Sequence, residues 1–313
     1  MKKIHYSIAI LGLLTLGCKT KLVSQNEGVQ PMSVVGTSAN WELVNDLSDE
    51  FNTDEIDWKK WYKTDKLPNT TGWKWNNEQN VKLANGVAEL TMRHNDNNQA
   101  DGETYFKSGI LKSKETMVTG YVEARIKGAV IDVPGPKNGF GVCPSFWLYS
   151  DFDRSVKNGK TIYCEIDVVE LQQFDWHNGH QDDIQDSDHN LHLVKMEKGK
   201  GVWYRPKKHP ETQLNKFRMP DDPSKNYHVY GCEVNEKEII WYVDGKEIAR
   251  KPNTDWYRPM NVTASLGLRR PFVKFSNNAN RAVNPLEGEE AKKQLAGMPT
   301  SMYVDYIRVW KKR

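Results

Sequence analysis

Residues 163–173 read YCEIDVVELQQ, and three carboxylates, Glu165, Asp167 and Glu170, fall within six positions of this stretch. The residues between them are Ile and Val, preceded by Tyr163, and such side chains favour strands, where residues two apart share a face. Glu165 and Asp167 therefore point the same way. Strict alternation would put Val169 beside them and drive Glu170 into the core. A one-residue bulge at Val168-Val169 returns Glu170 to the acidic face, and bulges often re-aim side chains next to active sites. The stretch predicts a bulged strand with an acidic outer face and an apolar inner one.

The rest of the chain repeats the strand signal. Turn-forming pairs recur at Asn85-Gly86, Asp101-Gly102, Asn158-Gly159, Asn178-Gly179 and Asp244-Gly245. Between them lie short alternating runs such as GVAELTMRH, GYVEARIKG, KEIIWYVDGKEIAR and SMYVDYIRVW. Evenly spaced short strands in a 313-residue chain with 11 Trp, 13 Tyr and 9 Phe predict one all-β sandwich of two antiparallel sheets. The domain is expected over 40–313. Three stretches resist a strand reading: 128–142, rich in Gly and Pro; 172–190, polar and directly after the acidic strand; and 274–299, with a short helix expected at GEEAKKQL. Long loops in a compact domain are usually functional or disordered, so these are expected to wall a binding cleft.

The first residues, MKKIHYSIAILGLLTLGC, carry two lysines and an apolar run too short to span a bilayer, a pattern that suits a signal peptide over 1–18. Cys18 after a small residue looks like a bacterial lipoprotein cleavage site, which makes the protein an exported, lipid-anchored one; plain secretion is the alternative. Residues 19–39 are polar and aperiodic and read as a flexible tether. Loss of Lys2 and Lys3 with the leader lowers the formal charge of +3 by two, and nothing in that balance points to nucleic acid. Cys143, Cys164 and Cys232 lack metal-ligand spacing and read as buried thiols, or as one disulfide and a leftover thiol.

Two nearby carboxylates in different environments can act as general acid and nucleophile on a glycosidic bond, and a retaining mechanism needs them about 5–5.5 Å apart. Glu165 and Glu170, five positions apart on a bulged strand, have side chains long enough to lean toward one another, and the sequence does not fix their separation. Asp167 between them can bond to its neighbours, and repulsion within the group raises the pKa of at least one acid, keeping it protonated to act as the proton donor. A lone E-x-D on a strand is more often a solvated face or a cation site; three acids with a bulge are harder to read that way.

EIDVVE resembles the bulged form of the E-x-D-x-x-E signature of family sixteen glycoside hydrolases. DSDHNLH (186–192), GVWYRP (201–206), FRMPDDPSKNYHVYG (217–231), IIWYVDGK (239–246), RPMNVTASLGLRRP (258–271) and MPTSMYVDYIRVW (298–310) resemble segments of its carrageenan-cleaving branch, in the same order. The resemblance implies a concanavalin-like β-jelly roll with a concave groove. It also implies endo-cleavage, with retention, of β-1,4 linkages in sulfated red-algal galactan, as κ-carrageenan or hybrid β/κ-carrageenan (furcellaran). Glu165 would be the nucleophile, Glu170 the acid/base and Asp167 the residue that tunes Glu165. His192 would bond within this cluster and Trp147 would lie under the sugar at the cleavage point. Arg154, Arg205 and Arg269 match arginines of that branch, and a guanidinium fork suits a sulfate ester. Trp73, Trp75 and Trp203 are candidates to stack on sugar faces.

Catalysis needs no cofactor on this reading, although the family often carries a structural calcium, for which Asp305 in the last strand is the candidate ligand. The protein is expected to be a monomer whose partner is the polysaccharide and whose link to a membrane is the lipid alone. The segment RPFVKFSNNANRAVN (270–284) departs from the branch pattern and leaves strict κ and hybrid preference both open. Competing readings are an agarase or porphyranase of the same family, and a surface lipoprotein that binds glycan without cutting it.

Overall fold

The computed structural model describes residues 28–34, 40–95, 104–177, 179–275 and 281–313. Cys18, the leader, most of the segment read as a tether, Asp101-Gly102 and Asn178 lie outside the described residues. Two large sheets face each other. The outer sheet runs Lys246–Pro252, Glu238–Val243, His228–Val234, Gly120–Lys127, Thr300–Lys312, Val87–His94, Phe106–Ser108 and Trp73–Trp75. Its pairs are antiparallel except the last, in which Trp73–Trp75 lies parallel to Phe106–Ser108. The cleft sheet runs Lys200–Tyr204, Leu191–Glu197, Thr161–Leu171, Val142–Tyr149, Met260–Leu268 and Ile110–Met117, all antiparallel. Asp186–Asp188 and Lys216–Arg218 extend it beside the acidic strand. The arrangement is the expected jelly-roll sandwich.

Hairpin chemistry explains the tight connections. A two-residue turn matching the twist of its strands needs positive φ at both positions, which Asn-Gly and Asp-Gly supply. Asn85 and Gly86 stand at φ 55° and 73°, and Asp244 and Gly245 at 49° and 76°. Lys198-Gly199 makes a third such turn, at 48° and 75°, between Leu191–Glu197 and Lys200–Tyr204. A lysine gives no turn signal, so the sequence hides that one.

The core fills the gap between the sheets. Cys164, Ile166, Phe146 and Leu266 reach it from the cleft sheet, and Tyr230, Trp241, Met302 and Val304 from the outer sheet, all fully buried. Each large apolar side chain so buried is worth about 1.5–3 kcal/mol. The helix expected near residue 288 is present as Glu289–Leu295. Cys143, Cys164 and Cys232 are all buried free thiols, which excludes the disulfide alternative. Within the stretch read as tether, Val29–Val34 does not hang free. It lies on the outer sheet against Trp41, Tyr121 and Trp310, because those aromatic side chains project from the face turned away from the core.

Candidate active site

The bulge forms where the sequence requires it. Ser145 pairs with Glu170 and Phe146 with Val169, but Trp147 pairs with Asp167, so Val168 is the extra residue. Val168 and Val169 both turn inward and are buried, and Glu165, Asp167 and Glu170 emerge on one face. A bulge strands ladder carbonyls, which must find other donors when buried. Trp241 Nε1, from the opposite sheet, donates to the Asp167 carbonyl at 2.9 Å, and His189 Nδ1 to that of Val168 at 2.6 Å. Trp256 Nε1 likewise reaches the carbonyls of Glu165 and His192, at 2.9 and 3.1 Å. Three side chains outside the motif thus lock the strand in its bulged form.

Each acid has its own surroundings. Tyr163 donates its hydroxyl to Glu165 Oε2. His192, directly across the ladder from Glu165, brings Nε2 to 3.9 Å from Glu165 Oε1 and 3.3 Å from Asp167 Oδ2. Asp167 is buried, and that burial, with Glu170 and Glu165 alongside, pushes its carboxyl well above the ordinary carboxylate range. Burial pulls His192 down, but the Glu165 and Asp167 carboxylates outweigh it and raise the imidazole to about 9. The acid so raised is Asp167, the middle one of the three and not the residue read from sequence as the proton donor. Glu170 Oε1 accepts from Arg269 Nη2 at 2.6 Å, with the Cys143 thiol 3.7 Å away. A fourth carboxylate, Asp188, lies across the ladder from Glu170; burial raises it to about 6, against the pull of Lys216 at 2.8 Å.

Glu165, Asp167, Glu170 and Tyr163 line a cleft of about 850 Å³ together with Trp73, Trp75, Trp147, Trp203 and Arg269. Trp147 donates Nε1 to Ser265 Oγ at 3.1 Å and stacks on Tyr149, centroids 4.3 Å apart. Trp73 and Trp75 meet edge to face at 5.6 Å. Phe152, Tyr163 and Trp203 form an aromatic group at another part of the wall. Arg205 and Arg154 are exposed and stand outside the lining, 4.2 Å from the Trp203 centroid and 5.8 Å from that of Phe152. Arg269 lies inside and is engaged with Glu170 and, at 2.6 Å, with Gln173.

The walls differ from expectation. Segments 66–71 and 267–275 supply them, whereas the 128–142 and 172–190 loops border a separate hollow of about 760 Å³. The 66–71 stretch carries no motif and gave no signal. Nor did Tyr163, Gln173, Trp241 or His189 stand out, because each reads as an ordinary aromatic, amide or histidine until the bulge places it. The Asp305 carboxylate, read from sequence as a candidate calcium ligand, is held by the Arg125 guanidinium at 2.6 Å.

Paired carboxylates on a bulged strand in an open aromatic cleft are the equipment of an enzyme that cuts glycosidic bonds. The family model described as beta-porphyranase A-D, GH16 domain, matches residues 41–312. The chain is 37% identical to a kappa-carrageenase of Pseudoalteromonas carrageenovora over 99% of this chain and 73% of that protein. A solved kappa-carrageenase from Zobellia galactanivorans shares 61% identity, with a TM-score of 0.86, covering 91% of this chain and 100% of that one. The P. carrageenovora kappa-carrageenase, solved with an oligotetrasaccharide of kappa-carrageenan, shares 36% at a TM-score of 0.74, covering 92% and 99%. The chain belongs to glycoside hydrolase family 16.

Proposed function

We propose that the chain is an endo-acting carrageenan hydrolase that cleaves β-1,4 linkages of sulfated red-algal galactan with retention, on κ-carrageenan or hybrid β/κ-carrageenan. The observation that carries the proposal is the division of one acidic face. Glu165 is held by Tyr163 and flanked by His192 and Asp167, whereas Glu170 is paired with Arg269. The kappa-carrageenase relatives support the substrate class.

In the first step Glu170 gives its proton to the glycosidic oxygen as that C–O bond breaks, and Glu165 bonds to the anomeric carbon. In the second, water gives a proton to Glu170 while its oxygen displaces Glu165, so both acids return to their starting states. Cationic His192 stands 3.3 Å from Asp167 and 3.9 Å from Glu165, beside the charge that leaves and returns to Glu165 over the two steps. Arg269 Nη2, 2.6 Å from Glu170 Oε1, is placed to take a sulfate ester of the substrate near the bond being cut. No cofactor enters either step.

Export through the leader, with Cys18 lipidated or the protein simply secreted, and a monomeric state complete the proposal. The family description favours porphyran, another sulfated galactan, as the second reading. Reducing-end release on κ-, ι- and β/κ-carrageenan, agarose and porphyran, side by side, decides between them. Cleavage confined to agarose or porphyran would overturn the carrageenan reading. Glu165→Gln and Glu170→Gln should each abolish cleavage while leaving binding, and full activity in either would sink the mechanism. Arg269→Met should lose far more rate on sulfated than on desulfated polymer.

A further inference from the structure

Lys112 combines burial, charge and access to the cleft in a way that the catalytic steps leave unused. It sits on the strand Ile110–Met117 with its side chain only 3% exposed, yet it lines the cleft. Its Nζ donates to the Lys66 carbonyl at 2.7 Å and lies 5.3 and 4.9 Å from the ring centroids of Tyr62 and Tyr149. Its carboxylate partner, Asp151, is 3.9 Å away, beyond hydrogen-bonding range, on a side chain 85% exposed. An ammonium has three donors, and a lone carbonyl uses one. Burying such a charge without a close counter-ion is costly, and here it lowers the lysine's pKa. Holding the Lys66 carbonyl needs a donor and no charge. The exposed Lys66 and Lys114 ammonium groups lie 5.4 and 5.9 Å from the same Tyr62 ring, so three cations gather around one tyrosine.

We propose that Lys112, with Lys66 beside it, forms a separate anion-reading subsite that takes a sulfate ester of the bound galactan away from the bond being cut. This deepens the substrate reading above and rests on it. Register fixes the distance: Lys112 pairs with Thr263, Thr263 with Trp147 and Trp147 with Asp167. Three strand spacings separate Lys112 from the acids, about 14 Å. The subsite therefore grips a sugar ring other than those flanking the scissile bond. Its contribution is to binding, with the Tyr62 and Tyr149 rings sharing the ammonium's charge until an anion arrives.

The test is independent of cleavage. Migration of Glu165→Gln is compared with that of Glu165→Gln/Lys112→Met in native gels containing κ-carrageenan or its chemically desulfated form. The methionine variant should lose about tenfold in affinity for the sulfated polymer. It should keep its affinity for the desulfated one, and Lys112→Arg should keep both. Because methionine removes a buried charge without leaving a hole, Lys112→Met should melt at or above the wild-type temperature; a residue that merely pins the 66–71 segment would melt lower. Unchanged affinity, equal losses on both polymers, or no retention of the parent would overturn the subsite. Should Lys112→Met fail to fold, the exposed Lys66→Met carries the same comparison, with a smaller loss on the sulfated polymer alone expected. Wild-type hydrolysis reports on the activity separately, so failure to cut any sulfated galactan would remove that reading and leave retention to decide on Lys112.

Discussion

At the scale of single residues, the site depends on how Glu165 is held. Tyr163 is buried, and that burial beside Glu165 raises its phenol well above the ordinary value, so its proton stays in place as a donor at any working pH. A hydrogen bond to a charged group is worth about 1.5–3 kcal/mol, or roughly ten- to a hundredfold in rate. Tyr163→Phe should therefore lower kcat by about that factor with KM and folding little changed, and an unchanged kcat would make Tyr163 a packing residue only. His192 supplies a test of the electrostatics. Its pKa is raised from 6.5 to about 9, so the stability it contributes is complete below about pH 6.5 and lost as pH rises through about 9. Melting temperature should fall across that window and fall less steeply in His192→Gln; parallel curves would show that the imidazole is not so perturbed. The three acids were legible because they broke a period of two. Tyr163 was not, because a tyrosine two residues before a glutamate is common in any strand.

At the scale of elements, the bulge is held by groups from other parts of the fold. Trp241 comes from the opposite sheet, and His189 from the far side of the acidic strand. Trp241→Phe would leave the Asp167 carbonyl buried without a donor and open space in the core, a loss of about 2–4 kcal/mol in urea unfolding with activity falling in step. A loss below about 1 kcal/mol would mean that the bulge holds itself. His189 is depressed to about 4 by burial, so it favours the folded state above about pH 6.5 and ceases to as pH falls through about 4. Val-Val between two acids announced the bulge, and Asn-Gly and Asp-Gly announced two hairpins. The cleft walls stayed hidden, because 66–71 has neither periodicity nor a motif and takes its place from tertiary packing.

At the scale of the whole molecule, the two faces of the sandwich have different tasks. The cleft sheet sets its acids amid scattered cations, Lys112 towards one edge and Arg205 beyond the other, an arrangement that the near-neutral charge of the chain conceals. The outer sheet carries Trp41, Tyr121 and Trp310 on its far side, and Val29–Val34 covers them. Val29 accepts from Trp310 Nε1 at 2.9 Å, Gln30 exchanges two bonds of 3.0 Å with the Trp41 backbone, and Met32 N donates to Glu123 Oε2 at 2.9 Å. Gly245 makes room for the strap, since a Cβ there would come within 3.2 Å of the Met32 carbonyl. Composition alone made this stretch part of a tether. Its partners are scattered along the chain, and only the folded sheet gathers them. A protein beginning at residue 40 should lose about 2–4 kcal/mol relative to one beginning at residue 28, roughly 5–10 °C in melting temperature. The pH dependence should change as well. Burial raises Glu123, so in the intact protein ionising it costs stability as pH rises through its folded value. Without the strap Glu123 meets water, and the curve above about pH 4.5 should flatten. Equal melting temperatures for the two lengths would show that Val29–Val34 rests on the sheet without stabilising it, and would return the segment to the tether.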